Sequence, residues 1–223
     1  MRRPMSIEEY PMSETSSAIP VGRLLRANAT SFVLGCRVSE TDEVSFGGLV
    51  RVSTRGGALD IFGLIHDITI ADDLMVKQLA ISPGMSEEQW QDQLHRRQVP
   101  IEISVLEVGY RENGIIHRRI PPRPPLSLDH VTLCPPEEIR AFTEKLGYFR
   151  LILGQRIGNI PVEQLVVAHI AHTFAARAND NEWALGAVEE LIAQLRDDYA
   201  TLLPLLEALG EALPQLQGVS YER

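Results

Sequence analysis

At 223 residues and 24.9 kDa, the chain is long enough for one medium domain or two small ones. Its 44% hydrophobic and 23% charged residues are those of an ordinary globular protein, which excludes collagen, low-complexity disorder and a disulfide scaffold. The formal net charge of −9 argues against a dedicated nucleic-acid coat. No apolar run approaches the ~20 residues that span a bilayer. Arg2 and Arg3 give way to Glu8 and Glu9 without the apolar stretch of a signal peptide. The expected location is therefore the cytoplasm, away from membranes. Cys36 and Cys134 fit a reducing compartment and have no metal-ligand spacing.

Charge is unevenly distributed. Residues 160–223 contain 10 acidic and 3 basic residues, whereas residues 1–159 contain 20 and 18. Two compositions predict two modules. Nineteen of the 21 basic residues are Arg. Codon bias is the simpler explanation of that excess. Recognition of anions by guanidinium is the alternative.

Residues 1–18 lack periodicity and read as a mobile tail. From residue 19 the pattern becomes short β-branched runs separated by turn residues. Strands are expected at 21–27, 31–38, 44–53 and 58–70, with a polar turn at 39–43 and a further turn at 55–57. Gly47-Gly48 marks a bulge or sharp bend in the third strand, and Gly63 a break or bend in the fourth. Strands at this spacing predict a small closed barrel rather than β/α units. A helix at 86–97, capped by Ser86, interrupts it. Strands at 102–110 and 115–120 follow, joined by a turn at Asn113-Gly114. Neither face of 102–110 is cleanly polar, so both are expected to be partly covered. The barrel unit thus spans 19–120.

Six of the 14 prolines lie within 121–136, which predicts an extended exit arm. A short helix at 137–146, closed by Gly147, completes a segment running to 159; within it, 148–158 is ambiguous. An acidic helical module is expected over 160–217. Its first helix covers 162–178 and ends in a turn at 179–181 that supplies an N-cap. Beyond it Val188, Ile192, Leu195, Tyr199, Leu202, Leu206, Leu209 and Leu213 follow heptad spacing. Burying eight such side chains contributes on the order of 10–20 kcal/mol before entropy. This stripe is the expected helical core or self-association seam. Pro204 is expected to break it and start a new helix, giving a helical hairpin or three-helix unit rather than a long coiled coil.

Chemical motifs are sparse. Neither Lys77 nor Lys145 lies in a phosphate-binding loop, and no serine sits in a nucleophile elbow. His169 and His172, at i and i+3, read as a partly exposed helical pair before a metal pair. Asp60, His66, Asp67, Asp72 and Asp73 form the densest acidic and imidazole group; a solvated rim is the simpler reading and a divalent-ion site the other. Arg118, Arg119 and Arg123, with Arg96 and Arg97 upstream, are candidate phosphate contacts without aromatic interleaving. No catalytic, cofactor or metal residues are assigned, and the chain is not expected to be an enzyme.

The opening strand at Val21-Gly22-Arg23, the step Ala29-Thr30-Ser31, the strand around Gly47-Gly48 and the return through Phe62-Gly63-Leu64-Ile65 resemble the HAS-barrel. This is the small barrel shared by HerA-type DNA translocases and the N-termini of ATP synthase subunits. The segment RRIPPRPPLSLDHVTLCPPEEIRAFTEKLG is similar to the proline-rich exit of HerA-type barrels, which leads to a strand and a short helix. The resemblance covers residues 19–147. In that family a RecA-like ATPase follows the barrel; here a helical segment stands in its place. The family's barrel mediates ring assembly and docks the nuclease NurA. The resemblance therefore implies protein contact without motor activity.

The fold class expected is α+β, a small closed HAS-like β-barrel followed by a C-terminal α-helical module. The expected function is a non-catalytic adaptor for a protein partner, a HerA-type ATPase or NurA-type nuclease in DNA processing, with homo-oligomerisation and indirect nucleic-acid contact as accompanying expectations. A nucleic-acid-binding barrel is the second reading, and a metal-dependent nuclease or phosphatase using Asp60, His66, Asp67 and Asp72 the third. Leu195→Asp is expected to unfold the helical module or abolish self-association; unchanged melting and unchanged mass would contradict the stripe.

Overall fold

The computed structural model describes residues 18–37, 44–54, 57, 59–70, 100–155 and 162–215. The expected tail, the polar turn at 39–43, the helix at 86–97, Arg96, Arg97, Asp72 and Asp73 lie outside the described residues. Seven strands are present: β1 (Pro20–Ala27), β2 (Ser31–Arg37), β3 (Leu49–Ser53), β4 (Leu59–Ile70), β5 (Pro100–Glu112), β6 (Ile115–His117) and β7 (His130–Leu133). They pair in the order β2-β1-β7-β3-β4-β5-β6, and β2 also pairs with β5. That last pairing closes a six-stranded antiparallel barrel and leaves β6 as a hairpin on its outside. The expected fold class is thus observed, a closed barrel followed by helices.

Local chemistry explains most boundaries. Asn28 turns the chain between β1 and β2, its Oδ1 accepting from the backbone N–H groups of Thr30 and Ser31. Asn113 and Gly114, both at positive φ, make the β5–β6 turn. The bend at Gly63 is real: β4 shifts register against β5 between Phe62 and Gly63, and again between Ile65 and Asp67. Two expectations need correction. The third strand begins at Leu49 rather than 44, because Gly47 (φ +83) and the Gly48 N–H to Ser45 carbonyl bond fold residues 45–48 into a turn. The strand after the hairpin ends at His117 rather than 120, because Arg118 turns away to bond the end of the next helix.

Five helices follow: α1 (Pro136–Thr143), α2 (Phe149–Leu153), α3 (Val162–Ala176), α4 (Asn181–Leu195) and α5 (Tyr199–Ala212). Pro136 starts α1 at the position where a missing N–H costs nothing. Gly147 does not close α1 as expected. The helix stops at Thr143, and its terminal carbonyls are taken by side chains instead: Arg118 donates to Ala141 and Phe142, and Trp183 Nε1 donates to Thr143. Asp180 caps α4 and Asp198 caps α5.

The heptad reading also needs correction. The chain breaks at residues 196–198, not at Pro204, which lies inside α5. Asp198 sets that break by accepting from Thr201 N–H and Thr201 Oγ1. The break divides the stripe between two helices, and most of it, from both, still faces one core. Leu195, Leu202, Leu209 and Leu213 are buried, Val188 and Leu206 are partly buried against the same core, and Ile192 and Tyr199 are exposed. The buried face of α4 instead runs through Trp183, Ala184, Ala187, Leu191 and Leu195.

Two apolar cores result. One holds Val21, Leu24, Phe32, Leu34, Val50, Val52, Ile61, Ile65, Ile103, Val105 and Val131, all strand residues. The other joins Leu49, Phe62, Leu64, Leu106 and Val108 of the strands to the buried faces of the helices. β4 and β5 therefore bury both faces, as the absence of a clean polar face on β5 predicted. The helical module packs on its own barrel.

One buried carboxyl stands apart. Glu107 of β5 is 2% exposed, and among the described residues neither of its oxygens has a hydrogen-bond partner. Burial lifts its pKa to about 7. The folded value lies above the unfolded value of roughly 4.3, so the folded state keeps a proton that the unfolded state has lost. Stability falls as pH rises through that window, by about 4 kcal/mol at most. Glu107→Gln should flatten the pH dependence of the denaturant midpoint between about pH 5 and pH 8 and raise the midpoint at the upper end. Parallel profiles for the two proteins would show that Glu107 is solvated.

Candidate functional site

The two predicted histidines fasten the helical module to the barrel. His169 on α3 is 1% exposed, and its Nδ1 lies 3.2 Å from the Gly47 carbonyl. A carbonyl only accepts, so Nδ1 carries the proton and Nε2 accepts from Tyr148 Oη at 2.8 Å. Burial, first, and neighbouring His172 hold the imidazole neutral, with its pKa pushed down to about 4 against the opposing Gly47 bond. The exposed His172 bonds the same turn, through Nε2 to the Phe46 carbonyl and to Ser45 Oγ. The expected partly exposed pair is therefore one buried and one exposed residue, both spent on the turn at 45–47. Glycine is required there: a Cβ on Gly47 would sit 2.7 Å from His169 N and from Ala168 Cβ.

The acidic group is likewise engaged. Asp60 accepts from Arg111 Nε and Nη2 and from Ser53 Oγ. Glu138 of α1 accepts from Arg51 at 2.6 Å and from Arg111 at 2.9 Å, which ties α1 to β3 and β5. Burial opposes the charge on Arg111, but the bonds to Asp60 and Glu138 outweigh it and raise its pKa. Asp67 accepts from Thr69 Oγ1, and burial lowers the pKa of His66. Among the described residues no three His, Cys, Asp or Glu side chains are grouped to hold a metal ion. Cys36 and Cys134 are buried, and burial raises the Cys134 thiol well above its ordinary value.

Of the candidate phosphate contacts, the fold brings Arg118 and Arg119 together. They line one cleft with His117, and Lys145 and Arg150 arrive from the α1–α2 connection and α2. Arg123 is exposed on the exit arm and does not line it. Sequence reading did not join Lys145, at the end of the expected 137–146 helix, or Arg150, in the ambiguous stretch after it, to this group; only folding places them beside residues 118 and 119.

A second surface was legible only as a proline-rich arm. Leu126 and Leu128 of the arm are each 57% exposed, and Leu25 of β1 is 45% exposed. The backbone beneath them is firmly held. Leu128 N–H donates to the Leu24 carbonyl, Leu24 N–H to the Asp129 carbonyl, Leu126 N–H to Asp129 Oδ2, Ser127 Oγ to the Leu25 carbonyl, and Arg23 Nη1 to the Leu128 carbonyl. Leu128 has φ +71, a conformation that costs a non-glycine residue about 1–2 kcal/mol.

Compared with protein-family models and with curated proteins, the chain matches none. Among the described residues no helix is long and apolar enough to cross a membrane.

The joint between module and barrel gives a direct test. Tyr148→Phe would leave Nε2 of His169 buried without its donor and should cost about 1–3 kcal/mol in chemical denaturation. A loss within error would mean that water replaces the hydroxyl.

Proposed function

We propose that the chain is a non-catalytic adaptor that docks on a protein partner through β1 and the exit arm. The observation that carries this reading is the display of Leu25, Leu126 and Leu128. Three large apolar side chains face solvent on backbone locked by five hydrogen bonds, and one of them occupies a left-handed conformation. A surface loop without a partner gains nothing from holding leucines this way; backbone strain maintained by its surroundings is a mark of function. The HAS-barrel resemblance supplies the partner class, a HerA-type ATPase or its NurA-type nuclease in DNA processing. The closed barrel and the strand and helix after its proline-rich exit are consistent with that resemblance.

Affinity capture from the native extract after nuclease treatment tests this reading. The expected result is stoichiometric recovery of such an ATPase or nuclease by the unaltered chain, and loss of that recovery with Leu126→Asp. As an exposed substitution, Leu126→Asp should change stability by no more than about 0.5 kcal/mol. Leu128→Gly should weaken capture while leaving the melting temperature equal or higher, because glycine relieves the positive φ. Recovery of nucleic acid alone, lost on nuclease treatment, would overturn the adaptor in favour of the nucleic-acid reading.

A further inference from the structure

We infer that the cleft lined by Arg118, Arg119, Lys145 and Arg150 binds a compact polyphosphate group. The cleft has a volume of about 350 Å³, room for roughly ten waters' worth of ligand. Among the described residues four permanent cations line it, and no carboxylate does.

These arginines are held differently from the ion-paired arginines of the fold, and, unlike Arg23 and Arg140, which also bond only carbonyls, they share one cleft. Arg26 is paired with Glu102, Arg51 with Glu138, Arg111 with Asp60 and Glu138, and Arg177 with Glu144 and Asp180. The cleft arginines bond only neutral acceptors. Arg118 donates through Nε and Nη2 to the carbonyls of Phe142 and Ala141. Arg119 donates through Nε and Nη2 to Tyr110 Oη, with its guanidinium over the Tyr110 ring. Arg150 donates to the Arg118 carbonyl. Glu144 acts on Arg118 through space, and its carboxylate bonds Arg177. The guanidinium groups of Arg118 and Arg119 are thus fixed through Nε and Nη2 without a carboxylate bonded to them, and Nη1 of each is left to donate to a phosphoryl oxygen. Lys145 adds a charge on a flexible stem and has no hydrogen bond among the described residues.

The geometry favours a compact ligand over a nucleic-acid backbone. The four charges converge on one concavity instead of forming a track, and exposed Arg123 stands outside it. A di- or triphosphate terminus, as on a nucleotide, presents a matching number of negative charges. This inference uses none of the leucines of the docking surface, so either reading can fail without the other.

Calorimetric titration of the full chain at low salt, with inorganic tripolyphosphate as the probe, tests it. Saturable one-to-one binding is expected. Lys145→Glu and Arg150→Glu should each weaken it by at least about tenfold at unchanged melting temperature, and Arg123→Glu should not. No saturable binding at millimolar probe, affinities unmoved by the two cleft variants, or an equal loss in Arg123→Glu would overturn the site. A single-stranded oligonucleotide that binds more tightly than tripolyphosphate, and is lost in the same two variants, would overturn the assignment to a compact ligand.

Discussion

The close approach of α3 to the turn at Gly47 sets the relation of everything else. One face of the barrel is apolar, because Leu49, Phe62, Leu64, Leu106 and Val108 pack into the helical core rather than among the strand residues of the other core. Something must cover that apolar face, and the helices do. Gly47 lets the backbone of α3 come within reach, and His169 then uses both ring nitrogens, one toward the turn and one toward Tyr148. A buried imidazole is tolerated there only because each nitrogen has a partner of the right kind. Barrel and helices therefore behave as one body with two cores, although their compositions differ in charge.

The arginines divide by what they bond. Those along β3, β5 and the α3–α4 turn hold carboxylates: Arg51 and Arg111 converge on Glu138 and tie α1 to strands, whereas Arg177 bonds Glu144 and Asp180 and ties the α3–α4 turn to the end of α1. Such partly shielded pairs contribute orientation more than net stability. Arg118, Arg119 and Arg150 bond carbonyl and phenol oxygens instead, which positions the side chains without neutralising them. Arg118 combines both tasks. It satisfies the end of α1, lies over the Phe142 ring and still lines the cleft. Burial lowers its pKa, with Tyr148 and Glu144 opposing, and this follows from seating a cation against that aromatic wall. An Arg-rich composition that codon bias explains in bulk thus contains a subset whose placement has a physical logic of its own.

The proposed adaptor and the proposed anion cleft rest on different parts of the chain, and both depend on the arm between β6 and α1. Its prolines keep it out of the sheet except where β7 inserts between β1 and β3. That insertion lets the six-stranded ring close. It also holds the leucines beside β1 at one end of the arm, and the arm begins beside the arginines that follow β6. One segment without regular structure for most of its length organises both surfaces, because its backbone groups are satisfied by β1 and by side chains instead of by a ladder of its own.

The strands, their turns and the helical C-terminal third were legible in the sequence because they rest on local chemistry: alternation, Asn-Gly, Gly63, Asp180 as a cap. Closure was foreseen from strand spacing, but the insertion of β7 was not, since a four-residue strand after a proline-rich stretch has no pattern of its own. The helix ends at Thr143 and at residues 196–198 were misplaced for a shared reason. A glycine and a proline are strong local signals, yet a distant arginine at one end and an aspartate cap at the other satisfied the backbone first. The heptad spacing across Val188 to Leu213 marked most of the helical core correctly, but Ile192 and Tyr199, on either side of the break at 196–198, face solvent. Composition and periodicity determined that this chain builds a barrel and a helical module. Only the tertiary structure decided which apolar faces meet, which arginines meet carboxylates and which leucines remain in water, because each depends on neighbours far away along the chain.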